Sequence, residues 1–126
     1  GTPGGDFLGV EQWAWLEAQL LAPPPPGVVA TVVVSPLPVL ADRFGFGEGW
    51  HKFPSARERL LRLLARSRRD GLALVSGDIH LAEMNLVVCG AGTADSAAGA
   101  GQPLLELTTS GLTHAWRKAD AWGVPA

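Results

Sequence analysis

Val28-Val29-Ala30-Thr31-Val32-Val33-Val34-Ser35 is an uncharged, mostly β-branched run. Such a run is the signature of a strand buried on both faces. Leu72-Ala73-Leu74-Val75-Ser76 is a second, shorter run of the same kind. Between them lie a long loop over 36–54, carrying Phe44, Phe46, Trp50 and Phe53, and then a helix signal. Ser55 followed by Glu58 reads as a capping box with Pro54 ahead of it. Leu60, Leu61, Leu63 and Leu64 give that helix one apolar face, and Arg59, Arg62, Arg66 and Arg69 lie opposite. Arg66, Arg68 and Arg69 also complement the dipole at its C-terminal end, where Gly71 suits the stop. Residues 28–76 therefore predict a strand–helix–strand unit, which makes a parallel pair with a right-handed crossover.

Working outward, Pro23 to Pro26 form a stiff connector. Before it, Val10, Trp13, Ala14, Leu16, Leu20 and Leu21 recur at helical spacing, predicting a helix over 10–21 that leaves Trp15 off the stripe. On the other side, Asn85–Cys89 and Leu104–Thr108 read as two further strands joined by a Gly/Ala/Ser loop. A helix is expected over 115–121. The fold class is α/β.

The chain has 126 residues, 47% of them apolar and 17% charged, which suits one globular segment rather than a disordered one. A formal charge of −2 argues against a general nucleic-acid binder. Cys89 is the sole cysteine, so no internal disulfide framework is possible. No apolar run approaches the roughly 18–20 residues that span a bilayer. The sequence opens at Gly1 with Met84 as its sole methionine, and this reads as a segment of a longer chain.

Open α/β sheets bind ligands beyond the C-terminal ends of their strands. The second strand runs into Ser76-Gly77-Asp78-Ile79-His80. On an extended backbone Asp78 and His80 project to one side. A carboxylate and an imidazole there are natural ligands for a hydrolytic divalent or trivalent metal. Gly77 would allow a sharp turn or a close approach. Alone the pair is a weak signal, and a turn aspartate beside a solvated histidine is the simpler reading of it.

Four blocks sharpen the choice. They are Leu8-Gly9-Val10-Glu11-Gln12-Trp13-Ala14-Trp15-Leu16-Glu17; Trp50 with Phe53-Pro54 and Arg57-Glu58-Arg59-Leu60; Ser76-Gly77-Asp78-Ile79-His80-Leu81-Ala82-Glu83; and Glu106-Leu107-Thr108-Thr109-Ser110-Gly111-Leu112-Thr113-His114. In this order they resemble segments of the alkaline phosphatase D-like (PhoD-like) metallophosphatases, the third block being similar to that family's Ser-Gly-Asp-Val-His-x-x-Glu hallmark. The resemblance implies the C-terminal part of a four-layer, calcineurin-like metallophosphoesterase fold. It implies hydrolysis of phosphate mono- or diesters by a hydroxide attacking phosphorus in line. It also implies a small-molecule phosphate-ester substrate and two or more metal ions in the complete domain. His80 stands as a direct ligand; Asp78 stands as a ligand or as the group that orients one. The family's Asp-x-His, Gly-Asp and Asn-His ligand motifs nearer the N-terminus are absent from this sequence, so the segment is expected to be incomplete. Where relatives carry Ser-Ser-Ile-Gln, this chain has Ser35-Pro36-Leu37-Pro38, which removes a polar side chain from a strand end.

Arg57 lies in the first turn of its helix near the apolar stripe. It reads either as a phosphate-binding arginine or as a partner of Glu58 or Glu48. His114 reads as a proton donor or phosphate contact, or as a surface histidine. Glu83 holds the loop. Ser110 lacks the nucleophile elbow and acid partner of a serine hydrolase. Trp13, Trp50 and Trp116 read as core or loop anchors. A non-catalytic remnant or interaction module that keeps the α/β scaffold is the alternative function, and a nucleic-acid module built on the arginine helix stands third.

Overall fold

The protein is described by a computed structural model over residues 5–41, 48–88 and 103–112. Phe44, Phe46, Cys89, His114, Trp116 and the expected helix at 115–121 lie outside these residues. Two helices and a four-stranded mixed sheet make up the fold: α1 (Val10–Leu21), β1 (Thr31–Val34), α2 (Pro54–Ser67), β2 (Leu72–Ser76), β3 (Ala82–Val88) and β4 (Pro103–Thr109). A short 3-10 turn, Trp50–Lys52, precedes α2. The sheet order is β1-β2-β4-β3. β1, β2 and β4 run parallel, with Val33 opposite Leu74 and Leu74 opposite Glu106; β3 is antiparallel to β4. No helix among the described residues is long and apolar enough to cross a membrane.

The core lies between the helices and one face of the sheet. Trp13 and Leu20 from α1, Ala56, Leu60, Leu63 and Leu64 from α2, and Leu74 and Leu104 from the sheet form one buried cluster with Val39, Leu40 and Trp50. The stripe of α1 is narrower than its sequence implies, because Val10 and Leu21 are exposed at the helix ends. Trp15 is exposed, as its position off the stripe requires.

Among the described residues, the other face of the sheet has no such cover. Val32 is 57% exposed, Val34 75%, Met84 69% and Leu86 60%. The expectation that Val28–Ser35 is buried on both faces is therefore corrected. β1 is an edge strand of four residues, and its side chains alternate between half-buried and exposed.

Three local details also differ from the sequence reading. The capping box at Ser55–Glu58 does not cap α2. Pro54 starts the helix with its preset φ, Phe53 is the cap residue, and no side chain caps the N-terminus; Glu58 pairs instead with Arg62 one turn on. Arg69 serves α1 rather than the dipole of α2, its guanidinium donating to the carbonyls of Gln19, Leu20 and Ala22 at the open end of that helix. The helix stop is Arg68, left-handed at φ 47°, three residues before Gly71.

Gly71 has a different task, the entry to β2. Its φ is +59°, and a Cβ there would come within 2.7 Å of the Val29 carbonyl oxygen. Its own carbonyl accepts from Thr31 N at 3.2 Å, tying the starts of β1 and β2 together. Gly71→Ala is expected to cost about 2 kcal/mol, from positive φ plus backbone contact. A lower urea midpoint at unchanged slope would register it; an unchanged midpoint would mean that the β1 entry moves aside freely.

Candidate functional site

Because β1, β2 and β4 are parallel, their C-terminal ends meet along one edge of the sheet. β1 runs into Ser35-Pro36, β2 into Gly77-Asp78 and β4 into Ser110-Gly111. The three ends are neighbours: a Cβ on Gly77 would lie 3.7 Å from both the Pro36 carbonyl oxygen and the Ser110 Cβ. That is ordinary packing distance, so Gly77 is not required by close approach.

The tight geometry lies one step further on. Asp78 has φ 73° and His80 φ 58°, both left-handed. Asp78 and His80 therefore do not continue an extended strand, and the same-side projection expected from alternation is replaced by a turn. Ile79 N donates to the Gly77 carbonyl at 3.0 Å within it. Left-handed backbone at a non-glycine residue costs roughly 1–2 kcal/mol, least for Asp, Asn and His. Anchors on the end of β4 hold the turn: His80 N donates to Ser110 Oγ at 2.7 Å, and Ser110 N donates to the Leu81 carbonyl at 3.3 Å. Just below, Ser76 Oγ and Thr108 Oγ1 share a buried hydrogen bond of 2.8 Å between β2 and β4. Ser110 is thus a positioning residue for the Asp78–His80 turn. Asp78 itself is exposed and His80 half-buried.

The segment after β1 is fixed separately. Ser35 Oγ donates to the Leu37 carbonyl at 2.6 Å and accepts from Trp50 Nε1 at 3.0 Å. Beyond it, Glu106 is fully buried (0% exposed), and its two carboxylate oxygens accept from Val39 N and Leu40 N, each at 2.7 Å. Arg57 closes the other side of the same dipeptide: Nε donates to the Val39 carbonyl at 2.7 Å and Nη2 to the Leu40 carbonyl at 3.2 Å. Every backbone polar group of Val39 and Leu40 therefore meets a side-chain partner.

Arg57 accordingly serves neither of the carboxylates weighed from the sequence, since Glu58 is taken by Arg62. No structural role for Glu106 or Asp6 was read from the sequence, and Arg69 was read only as a helix-face and dipole residue. Only Glu106 carried a legible sign, a lone charge at an inward position of an otherwise apolar strand. His114 lies outside the described residues.

The structure sets Asp78 and His80 at the expected strand end. Among the described residues, no group of three or more His, Cys, Asp or Glu side chains gathers closely enough to hold a metal ion. The described donors alone thus do not make up a metal centre.

A groove between α1 and α2, lined by Glu17, Glu58, Arg59, Arg62 and Arg66 among others, contains none of these residues. Its cations are engaged. Arg62 pairs with Glu58, Arg66 with Glu17 at 3.3 Å, and Arg59 stacks 4.2 Å from the Trp13 ring centroid. That leaves little unpaired positive charge for a nucleic acid, and exposed pairs of this kind contribute at most about 1 kcal/mol. No protein-family model, curated protein or solved structure matches the chain.

Proposed function

We propose that this chain is the C-terminal part of a metal-dependent phosphatase or phosphodiesterase of the alkaline phosphatase D-like kind, contributing Asp78 and His80 to a site completed by other residues of a longer chain. The observation that carries the reading is the Asp78–His80 turn. It stands where parallel strands end, it is held in a left-handed conformation that costs stability, and Ser110 anchors it from the neighbouring strand. Unfavourable backbone kept in place by dedicated anchors is a mark of functional loops. The four sequence blocks in family order support the same assignment. A bare apolar sheet face also suits the four-layer architecture, in which a second sheet covers the first.

In the complete domain the metal ions would supply Lewis acidity and a hydroxide nucleophile. This chain's own residues present a carboxylate and an imidazole at a fixed strand end, and Ser110 holds the His80 backbone. Arg57 is assigned to the Val39–Leu40 segment, because a phosphate would compete with the two carbonyls it already serves.

The test is hydrolysis of a chromogenic phosphomonoester and diester across a panel of metals, with a chelator as control. It is run on this chain and on a longer chain that includes upstream metal-ligand motifs. The short chain is expected to be inactive. His80→Ala in the longer chain is expected to lower metal content and reduce turnover at least about 100-fold, as loss of a metal ligand does. Retention of both would sink the assignment.

A non-catalytic remnant or interaction module is the second reading, favoured by the metal-ligand motifs that this sequence lacks and by Pro36 and Pro38 where the family it resembles carries a polar side chain. It expects no turnover from either chain.

A further inference from the structure

The groove between α1 and α2 collects positive charge in a chain whose formal charge is −2. Arg59, Arg62 and Arg66 recur at helical spacing, so all three stand on one wall along about 10 Å of α2. Glu58 from the same helix and Glu17 from α1 also line it, and three arginines against two glutamates leave one positive charge over. Like charges at this spacing weaken a helix, so the cluster costs stability rather than adding it. The groove holds about 240 Å³, below the roughly 300–1,000 Å³ of a drug-sized pocket, which suits a small ligand.

Arg59 is the surplus cation, and it is already fixed in place. Its guanidinium lies 4.2 Å from the ring centroid of Trp13, whose side chain is buried. Stacking uses the face of a guanidinium and leaves its N–H edges for hydrogen bonds. Those edges meet no acceptor among the described residues. Arg62 and Arg66, held by Glu58 and Glu17, are 63% and 62% exposed. Exposed pairs of this kind are weak and exchange readily for a stronger anion.

We propose that this groove binds the phosphate group of a small phosphorylated molecule, with Arg59 as the fixed donor and Arg62 and Arg66 turning to it from their glutamates. The resident partners select that chemistry. A monocarboxylate offers no more than Glu17 and Glu58 already supply. A phosphate brings about 1.5 to 2 negative charges and a third acceptor oxygen to the planar guanidinium forks. Three donors suffice for one such group, whereas a nucleic acid presents a long run of phosphates. Asp78, His80 and Ser110 take no part in the groove. The binding is therefore independent of the catalytic reading, and either can fail without the other.

The decisive experiment is isothermal titration calorimetry of the full 126-residue chain at low salt, with a chelator so that no metal carries phosphate to Asp78 or His80. Inorganic phosphate, phenyl phosphate and acetate are the titrants. Both phosphates are expected to bind at one site with a Kd near or below about 1 mM, and acetate at least about tenfold more weakly. A tighter Kd for phenyl phosphate would mark an ester as the ligand, and equal values free phosphate. Arg59→Gln and Arg62→Gln are each expected to weaken binding at least about tenfold with an unchanged circular dichroism spectrum. Arg62→Gln keeps the Arg59 stack on Trp13, so it repeats the test with that contact intact. Glu58→Gln frees Arg62 and is expected to tighten binding about threefold. Lys52→Gln removes the same charge outside the groove and is expected to bind like the parent. No heat up to about 10 mM phosphate would overturn the proposal. So would acetate binding as tightly as phosphate, binding that survives both arginine variants, or a loss in Lys52→Gln equal to theirs.

Discussion

Glu106→Ala is expected to lower the stability of the fold by about 3–5 kcal/mol, the largest effect of any single polar replacement in the described residues. The carboxylate is wholly buried, and each oxygen accepts one backbone N–H, from Val39 and Leu40. Truncation strands both donors away from water, at about 1–3 kcal/mol each. Against a total stability of about 5–15 kcal/mol, that is enough to unfold a substantial share of molecules. Glu106→Gln should cost nearly as much, because an amide keeps one acceptor but turns a donor toward the second N–H. Arg57→Ala removes the matching donors to the two carbonyls and should cost about 1–3 kcal/mol. Since both side chains grip one dipeptide, the double variant should lose less than the sum, with a coupling of about 1 kcal/mol or more. Urea unfolding of the four proteins measures all of this. Strict additivity would show that Glu106 and Arg57 act on separate features and that the Val39–Leu40 segment is held by something else.

Trp13→Ala is the second large effect, at about 3–5 kcal/mol. The ring is 1% exposed, lies edge-on to Trp50 at 6.2 Å between centroids, and carries Arg59 on its face. Its Nε1–H donates to Asp6 Oδ1 at 2.6 Å. Trp13→Phe separates packing from that hydrogen bond, and pH supplies the readout. The Trp13 N–H, followed by the backbone N–H groups of Leu8, Phe7 and Gly9, holds the Asp6 carboxyl below its ordinary value against a smaller opposing effect of desolvation. A depressed carboxyl contributes stability that is fully present above its unfolded value, near pH 4, and is lost as pH falls through the lower folded value. Trp13→Phe should therefore flatten the dependence of stability on pH below about pH 4 while leaving its shape at higher pH unchanged. An acid limb as steep as that of the parent would show that Asp6 takes its partners from elsewhere.

The sequence carried most of the elements and the parallel pairing of β1 with β2 because these depend on local pattern, but not the places of β3 and β4 in the sheet. The α1 bounds at Val10 and Leu21 follow from periodicity, and the Val32–Val34 and Leu72–Ser76 runs could be little else than strands. Exposure was less legible. Val32 and Val34 are apolar on both sides of β1, and nothing in a β-branched run says which face has a neighbour. The site was legible as a pair of residue types at a strand end but not as geometry. Alternation assumes extended backbone, whereas Asp78 and His80 turn left-handed under anchors from Ser110, thirty residues beyond His80 in the chain. Glu106 and Arg69 act through hydrogen bonds to distant backbone, Glu106 reaching Leu40 across 66 positions and Arg69 reaching Gln19 across 50. Such pairings arise from tertiary placement and leave little trace in local spacing.

The order of strands also sets how the chain must assemble. Thr31 finds its partner at Leu72, and Ala73 finds its partner at Leu105, so no ladder of the parallel sheet closes between neighbours in sequence. Closing such distant contacts is entropically slow, while helices such as α1 and α2 form on far shorter timescales. During that delay the uncharged run Val28–Val34, free of proline and glycine, has no strand beside it, and even afterwards β1 is the edge strand among the described residues. Segments of this composition cross-pair readily between molecules. The hazard is thus concentrated in nascent chains, where helices already hold half the core and the valine strand still waits for Leu72–Ser76 to arrive.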